Sequence, residues 1–365
     1  MSRLILKRQR GVALLIALLL LSLVSVLCAR MLWQQDRQLQ AEQTQRQHQQ
    51  ARWLLVGARD WARLILQDDN PATDHRQEPW AIGLQESRLS DFLAGQQAKD
   101  IDTVENRQLA DQTFLSGQIE DAQAYLNLYN LAMASGPSSP DYQSFHKLFD
   151  YLKLPETELT RLYQGLQATW GNSTNSTNST NSANAANAAN AANASNDNTN
   201  NTAGALSAQI SPIRPQILDE LRGLGISPAT IEVLRPYVVV IPAATRLNLN
   251  TTSVICLYAT IPGLSLAQAQ AILARGQQNP YSNLGQANDN WKQPEGQAAW
   301  FTDGLHDVRS SYFFIAGQLR FADTIFAETA LVQRDSARQV HTVWYRTGAN
   351  RFFLPQPLRP LSLTP

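Results

Sequence analysis

The residues between Gly11 and Arg30 set the terms for the rest of the chain. Lys7, Arg8 and Arg10 lead to Gly11, and Val12 to Ala29 is a continuous apolar run without a charge. A helix rises about 1.5 Å per residue, so the run covers about 27 Å, close to the thickness of a hydrocarbon core. The basic flank lies N-terminal, which keeps the first ten residues cytoplasmic and sends the remainder across. A secretory signal needs an apolar core of roughly 7–15 residues and a small-x-small cleavage site. Here the run is longer, and Cys28-Ala29-Arg30-Met31-Leu32-Trp33 is a poor site of that kind. Gln34 to Gln50 follows without a helix breaker, and Leu39, Trp53, Leu54, Trp61, Leu64 and Ile65 continue at helical spacings. The pattern predicts one helix from about Val12 to Leu66, half in lipid and half in water.

A short basic leader, a glycine, and an apolar helix that grows into an amphipathic one resembles the type IV pilin family. In that family a prepilin peptidase cuts after the glycine and methylates the new N-terminus. The resemblance implies a cut between Gly11 and Val12, where a small residue admits the backbone to the enzyme. Pilins carry Glu at the fifth mature position; here that position is Ile16. With its apolar fifth residue, Arg10-Gly11-Val12-Ala13-Leu14-Leu15-Ile16-Ala17-Leu18 resembles the start of the type II secretion system protein K family, a group of minor pseudopilins. A plain single-pass anchor with a basic flank is the alternative for this segment.

A length of 365 residues suits an anchor plus two globular parts. Lys+Arg and Asp+Glu balance at 30 each, so no global charge draws the chain to nucleic acid or an anionic surface. Cys28 lies in the membrane run and Cys256 in a soluble apolar segment. Compartments separate them, so they do not pair, and Cys256 reads as a small buried hydrophobe.

Asp68-Asp69-Asn70-Pro71 stops the long helix. Residues 75–110 are mixed and polar. Thr113 to Leu128 begins with strand-like spacing, and the protein K resemblance extends to it through Gly117, Ile119, Asp121, Asn127, Asn130 and Leu131. The asparagines suit the end of a strand, where side-chain amides bond loose backbone. Ser138 to Thr169 reads as two helices, the second after Pro155. Residues 172–202 are Asn-Ser-Thr and Asn-Ala-Ala repeats with no apolar bulk to recover their ordering entropy, which predicts a disordered loop. Pro215 to Leu224 reads as helix stopped by Gly225, Pro228 to Leu234 as another helix, and Tyr237 to Ile241 as a short strand.

Val254 to Thr260, then Ile261-Pro262-Gly263-Leu264-Ser265, then Leu266 to Arg275 resembles a helix-hairpin-helix, with Pro262 and Gly263 at the turn. That motif often holds DNA phosphates on backbone N–H groups at a helix N-terminus. The DNA-binding form wants a second glycine where Ser265 stands. Between Ala243 and Gly285 the basic residues are Arg246 and Arg275, too few for phosphate-driven affinity. Protein K relatives carry such a module with a Leu-Asn-x-Asn-Thr entry, matched here by Leu247, Asn248, Asn250 and Thr251.

Ser311 to Phe321, Thr324 to Val332 and Val340 to Tyr345 have strand length and alternation, with turns at Arg334-Asp335 and Thr347-Gly348-Ala349-Asn350; they read as an antiparallel meander. Five scattered histidines show no ligand spacing, and no phosphate loop, nucleophile elbow or His-Glu-x-x-His occurs, so no enzyme is expected. Asp303 and Asp307, flanking Gly304, are candidates for a loose cation site against the reading of a solvated turn. Calcium is the cofactor that the resemblance implies. The region after Leu166 holds Asp197 alone among the acids that calcium needs.

The expected fold is α+β: a transmembrane and spine helix packed on a small antiparallel sheet, pilin-like, with a large helical insertion. The expected division is leader 1–11, transmembrane helix 12–30, pilin-like part 31–130, helical insertion 131–285, pilin-like strands 286–354 and tail 355–365. The resemblance implies a minor pseudopilin of the inner membrane, at the tip of a periplasmic pseudopilus. Its implied partners are other minor pseudopilins, the major pseudopilin, the prepilin peptidase and the inner-membrane secretion platform. The competing reading is an anchored periplasmic protein that takes up DNA through the hairpin module.

Overall fold

The computed structural model describes residues 10–69, 72–95, 110–170, 214–293, 298–321 and 324–348. Residues 1–9 of the expected leader, the Asn-rich tract and the tail lie outside them. Two compact units divide the chain, Met1–Val56 and Gly57–Pro365.

The first helix, α1, is continuous over Arg10–Asp68. In the first unit its large aliphatic side chains from Leu14 to Leu27 are all 52–67% exposed. Burying one such side chain is worth about 1.5–3 kcal/mol, so this segment has a strong drive into an apolar surround. It is long and apolar enough to cross a membrane.

In the second unit, β1 (Leu84–Arg88) is followed by α2 (Leu89–Gly95), β2 (Thr113–Asp121), β3 (Leu126–Asn127) and α3 (Leu128–Met133). Then come α4 (Pro140–Tyr151), α5 (Glu156–Trp170), α6 (Pro228–Leu234), β4 (Val238–Val239) and β5 (Leu247–Asn248). The chain continues through α7 (Val254–Thr260), α8 (Leu266–Gln278), α9 (Leu284–Asn290) and β6 (His306–Asp307), and ends with β7 (Tyr312–Phe321), β8 (Thr324–Arg334) and β9 (Val340–Thr347).

Strands pair in the order β1-β2-β7-β8-β9, antiparallel throughout. The expected meander is β7-β8-β9, and β2 joins its edge in unbroken register from Thr113↔Phe321 to Asp121↔Phe313. Gly117 faces Gly317 there; a Cβ on Gly117 would stand 3.1 Å from the Ala316 carbonyl, so the glycine permits the close approach. Because β2 and β7 are spatial neighbours, everything from 122 to 311 is inserted between two adjacent strands.

Alternation along β7 and β8 gives the sheet two apolar faces. Phe313, Ile315, Ala330, Val332 and Val340 pack with Ala62 and Leu66 of α1 and with Trp80. Arg59 pairs with Glu328 at 2.6 Å, and Arg63 Nε donates to the Val340 carbonyl at 2.9 Å. Tyr312, Phe314, Ala316 and Leu331 point the other way, onto Ala122, Ala124, Tyr125, Val239 and Ile241. Beyond them the insertion has two cores of its own, one under α3 to α6 and one under α7 to α9.

Two local expectations change. Leu218–Leu224 forms a 3-10 helix, in which Leu218 and Leu221 fall one three-residue turn apart on the buried side. Gly225 stops it at φ +79. Residues 84–88, read as mixed and polar, form the edge strand β1.

Candidate functional site

Gly11 and Val12 lie in the opening turns of α1, and Ile16 is 55% exposed on its apolar surface. Cys28 is exposed on the same helix, whereas Cys256 is wholly buried; burial pushes its thiol up to about 11.

The hairpin module is held by its own polar groups. Ser253 caps α7 by accepting from Cys256 N at 3.2 Å. Gly263 takes φ +73, a left-handed conformation that glycine adopts without strain. Ser265 accepts from Gln268 N at 3.3 Å while Ser265 N donates to Gln268 Oε1 at 2.9 Å, a reciprocal capping box. Lys147 of α4 donates to the carbonyls of Ile261 (2.8 Å) and Leu264 (3.4 Å) and lies 3.9 Å from the Tyr258 ring. Burial lowers the Lys147 pKa. Ile261 and Leu264 are buried in the module's core. Pro262 and Gly263 at the turn are exposed, while the residues flanking them are anchored in the core and a side chain already occupies the α8 cap. Arg246 is 3.5 Å from Asp307 and Arg275 bonds Asn290, so neither basic residue waits for a phosphate.

The asparagines expected to bond loose backbone do so. Asn127 accepts from Tyr129 N and Ile241 N, each at 3.1 Å, and donates to the Ala243 carbonyl at 2.7 Å. Asn130 accepts from Thr245 N at 3.1 Å. Asn250 and the Tyr281 backbone exchange bonds of 3.0 and 2.9 Å.

A buried polar joint gathers side chains from segments far apart in sequence. Asp121, at the end of β2, accepts from Asn248 Nδ2 (2.9 Å), Ser310 Oγ (2.6 Å), Gln123 N (2.7 Å) and the Thr251 hydroxyl. Asp74 accepts from Ser310 N at 2.7 Å and from Arg334 at 2.5 Å. Arg334 also reaches Asp69 at 2.8 Å and the Ser310 carbonyl at 3.0 Å. Desolvation raises the pKa of both carboxyls, Asp74 to about 7, with Arg334 opposing the rise at Asp74. This joint fastens the entry of the hairpin module and the start of β7 to the sheet.

Asp303 is exposed in the turn before β6, while Asp307 accepts from Val308 N at 2.8 Å and stands 3.4 Å from Arg309. Asp69, Asp74 and Glu78 form a closer acidic group, with one oxygen each within 4.8 Å of the others. The Arg334 guanidinium already bridges two of them, and Glu78 accepts from Trp80 Nε1 at 2.6 Å. His306, read as one of several scattered histidines, is wholly buried 3.0 Å from Thr260 Oγ1, and burial pushes it down to about 4.

A spine helix seated on one sheet, with a helical insertion between two adjacent strands, defines a pilin-like protein of elaborated type. Residues 247–309 match the family model of type II secretion system protein K. The type II secretion system protein K of Klebsiella pneumoniae is 39% identical over 77 residues, 20% of this chain and 24% of that protein. The alignment therefore spans about a quarter of that relative's length. The fold resembles a chain in the crystal structure of the GspK-GspI-GspJ complex of the type 2 secretion system of enterotoxigenic Escherichia coli. That match has a TM-score of 0.55 at 18% identity and covers 84% of this chain and 99% of that one. The matched segment and the aligned relative both carry the protein K description, and the solved structure shares the fold.

Proposed function

We propose that this chain is a minor pseudopilin of a type II secretion system, supporting protein export across the outer membrane. The observation that carries the reading is α1. One helix presents a lipid-compatible apolar surface over its first turns, then seats its last turns on the sheet through Ala62 and Leu66. In this reading the leader stays cytoplasmic, the bulk is periplasmic, and residues 12–30 hold the protein in the inner membrane until assembly. Cleavage between Gly11 and Val12 then frees the stem to pack with other pseudopilin stems.

Ile16 supplies no carboxylate to a neighbouring N-terminal amine, which supports a place at the tip, with other minor pseudopilins as immediate partners. The DNA-uptake reading loses support from the filled α8 cap and the engaged Arg246 and Arg275.

Deleting the chromosomal copy and restoring either the native chain or the Gly11→Leu variant tests the proposal. Export should fail in the deletion, return with the native chain, and stay absent with the variant. Normal export in the deletion strain would reject the secretion role. A steep loss of DNA affinity between low and moderate salt would favour the alternative, since phosphate contacts release counterions.

A further inference from the structure

Asp121 is unlike the other wholly buried carboxyls in having no cation near it. Glu328 is paired with Arg59, and Asp74 with Arg334. Among the described residues no guanidinium or ammonium comes within 4.0 Å of Asp121, which is 2% exposed. Arg334 spends its reach on Asp69, Asp74 and the Ser310 carbonyl. Arg76 spends its own on the Thr251 carbonyl. The neighbouring carboxyls are Asp74 and Glu120, the latter bonded to Tyr125, and the two cations of the joint, Arg334 and Arg76, meet the backbone carbonyls of Ser310 and Thr251 and not the Asp121 carboxyl. Arg246 and Arg309 pair with Asp307 instead.

The partners of the two aspartates differ in kind. Asp74 meets a backbone N–H and a guanidinium, which only donate, so its oxygens must accept. Two of the four partners of Asp121 are hydroxyls, Thr251 Oγ1 and Ser310 Oγ. A hydroxyl donates or accepts as required. Asp121 therefore has room to carry a proton on Oδ2 and hand it to a hydroxyl without losing a bond. Asn248 Nδ2 and Gln123 N keep donating to the carboxyl in either state.

We infer that Asp121 is a proton-held clasp: it is protonated when the joint is closed, and its ionisation loosens the attachment of the hairpin module and of Ser310 to the sheet. A second negative charge beside Asp74 in a desolvated pocket has no counter-ion to offset it. Burial raises the pKa of Asp121 in the same direction, against the opposing pull of the hydrogen bonds from Ser310, Thr251, Gln123 and Asn248. A carboxyl whose pKa rises on folding favours the folded joint at low pH and loses that contribution as pH climbs. The joint is thus tighter in mildly acidic than in alkaline surroundings. This inference does not depend on the secretion role.

The test uses the full chain in detergent micelles. Backbone hydrogen exchange of Asn250 N–H and Ser310 N–H, corrected for intrinsic rate, is measured at about pH 5.5 and about pH 8.5. Protection should fall at least about ten-fold at the higher pH in the native chain. In Asp121→Asn, which keeps one acceptor and gains two donors, the dependence should shrink to what Asp74, raised to about 7 and bonded to Ser310 N, contributes by itself. Equal protection at both pH values, or an undiminished dependence in the variant, overturns the inference. Should that variant not fold, infrared spectra of the native chain with carboxyl-labelled aspartate give a direct reading. A protonated-acid carbonyl band at neutral pH that shifts in Thr251→Val is the expected result. Its absence, or its indifference to that substitution, rejects the clasp.

Discussion

Replacing Arg334 with Met isolates the energetic role of the one cation shared by two acids. The guanidinium lies 2.5 Å from Asp74, 2.8 Å from Asp69 and 4.9 Å from the Phe313 ring centroid, with 2% of its side chain exposed. Met keeps the apolar stem over Phe313 but strands Asp74, which has no exposed surface. Breaking a buried pair from one side typically costs about 3–5 kcal/mol, far more than the pair contributes over an apolar substitute. Arg334→Met should therefore lose about 3–4 kcal/mol at neutral pH. The double variant with Asp74→Asn should recover at least about half of that. Trp80 stands 5.2 Å from Phe313 and reports the region by fluorescence during urea unfolding of the full chain in detergent. The pH dependence adds a second check. Burial already pushes Asp74 up to about 7, and losing the cation raises it further. Proton binding then offsets the stranded charge, so the deficit should shrink below neutrality. A loss under about 1 kcal/mol, or a deficit that acid leaves unchanged, would refute the reasoning.

Other expectations follow from the same packing. His306 is held neutral, pushed down to about 4 from an ordinary value near 6.5, so acid favours the unfolded chain as pH falls between those values. The full effect approaches about 3 kcal/mol, and His306→Gln should flatten that acid limb in a thermal-melting series. Leu66→Ala, at a position with no exposed surface between α1 and the sheet, should lose about 2–5 kcal/mol in chemical denaturation. Ile16→Glu, at an exposed position of α1, should leave urea unfolding of the second unit within about 0.5 kcal/mol of native.

What was legible in the sequence was what depends on neighbours in sequence. The stem shows in its uncharged run, and β7 in the alternation of Tyr312, Phe314 and Ala316, which all reach one core cluster. Asn127 and Asn130 were readable as backbone-bonding residues because amides at a strand end commonly act so. Strand β1 was not readable: Leu84-Gln85-Glu86-Ser87-Arg88 has one apolar residue, and an edge strand is held by its ladder with Phe114 to Gly117 more than by burial. Leu218 to Leu224 misled because a spacing of three fits an α-helix and a 3-10 turn alike. The joint was out of reach for a different reason. Asp74, Asp121, Asn248, Ser310 and Arg334 carry no shared local pattern, and Arg334 reads as a turn residue until β8 carries it inward. Only the pairing of β2 with β7 across the insertion brings them together.

The central claim is that α1 begins as a membrane stem and is released by proteolysis for lateral packing. The intact mass and N-terminal residue of the protein recovered from the membrane of secreting cells test it most directly. The account predicts a chain that starts at Val12 with a methylated amine. Full-length protein retaining Met1, in cells whose export is normal, would contradict it.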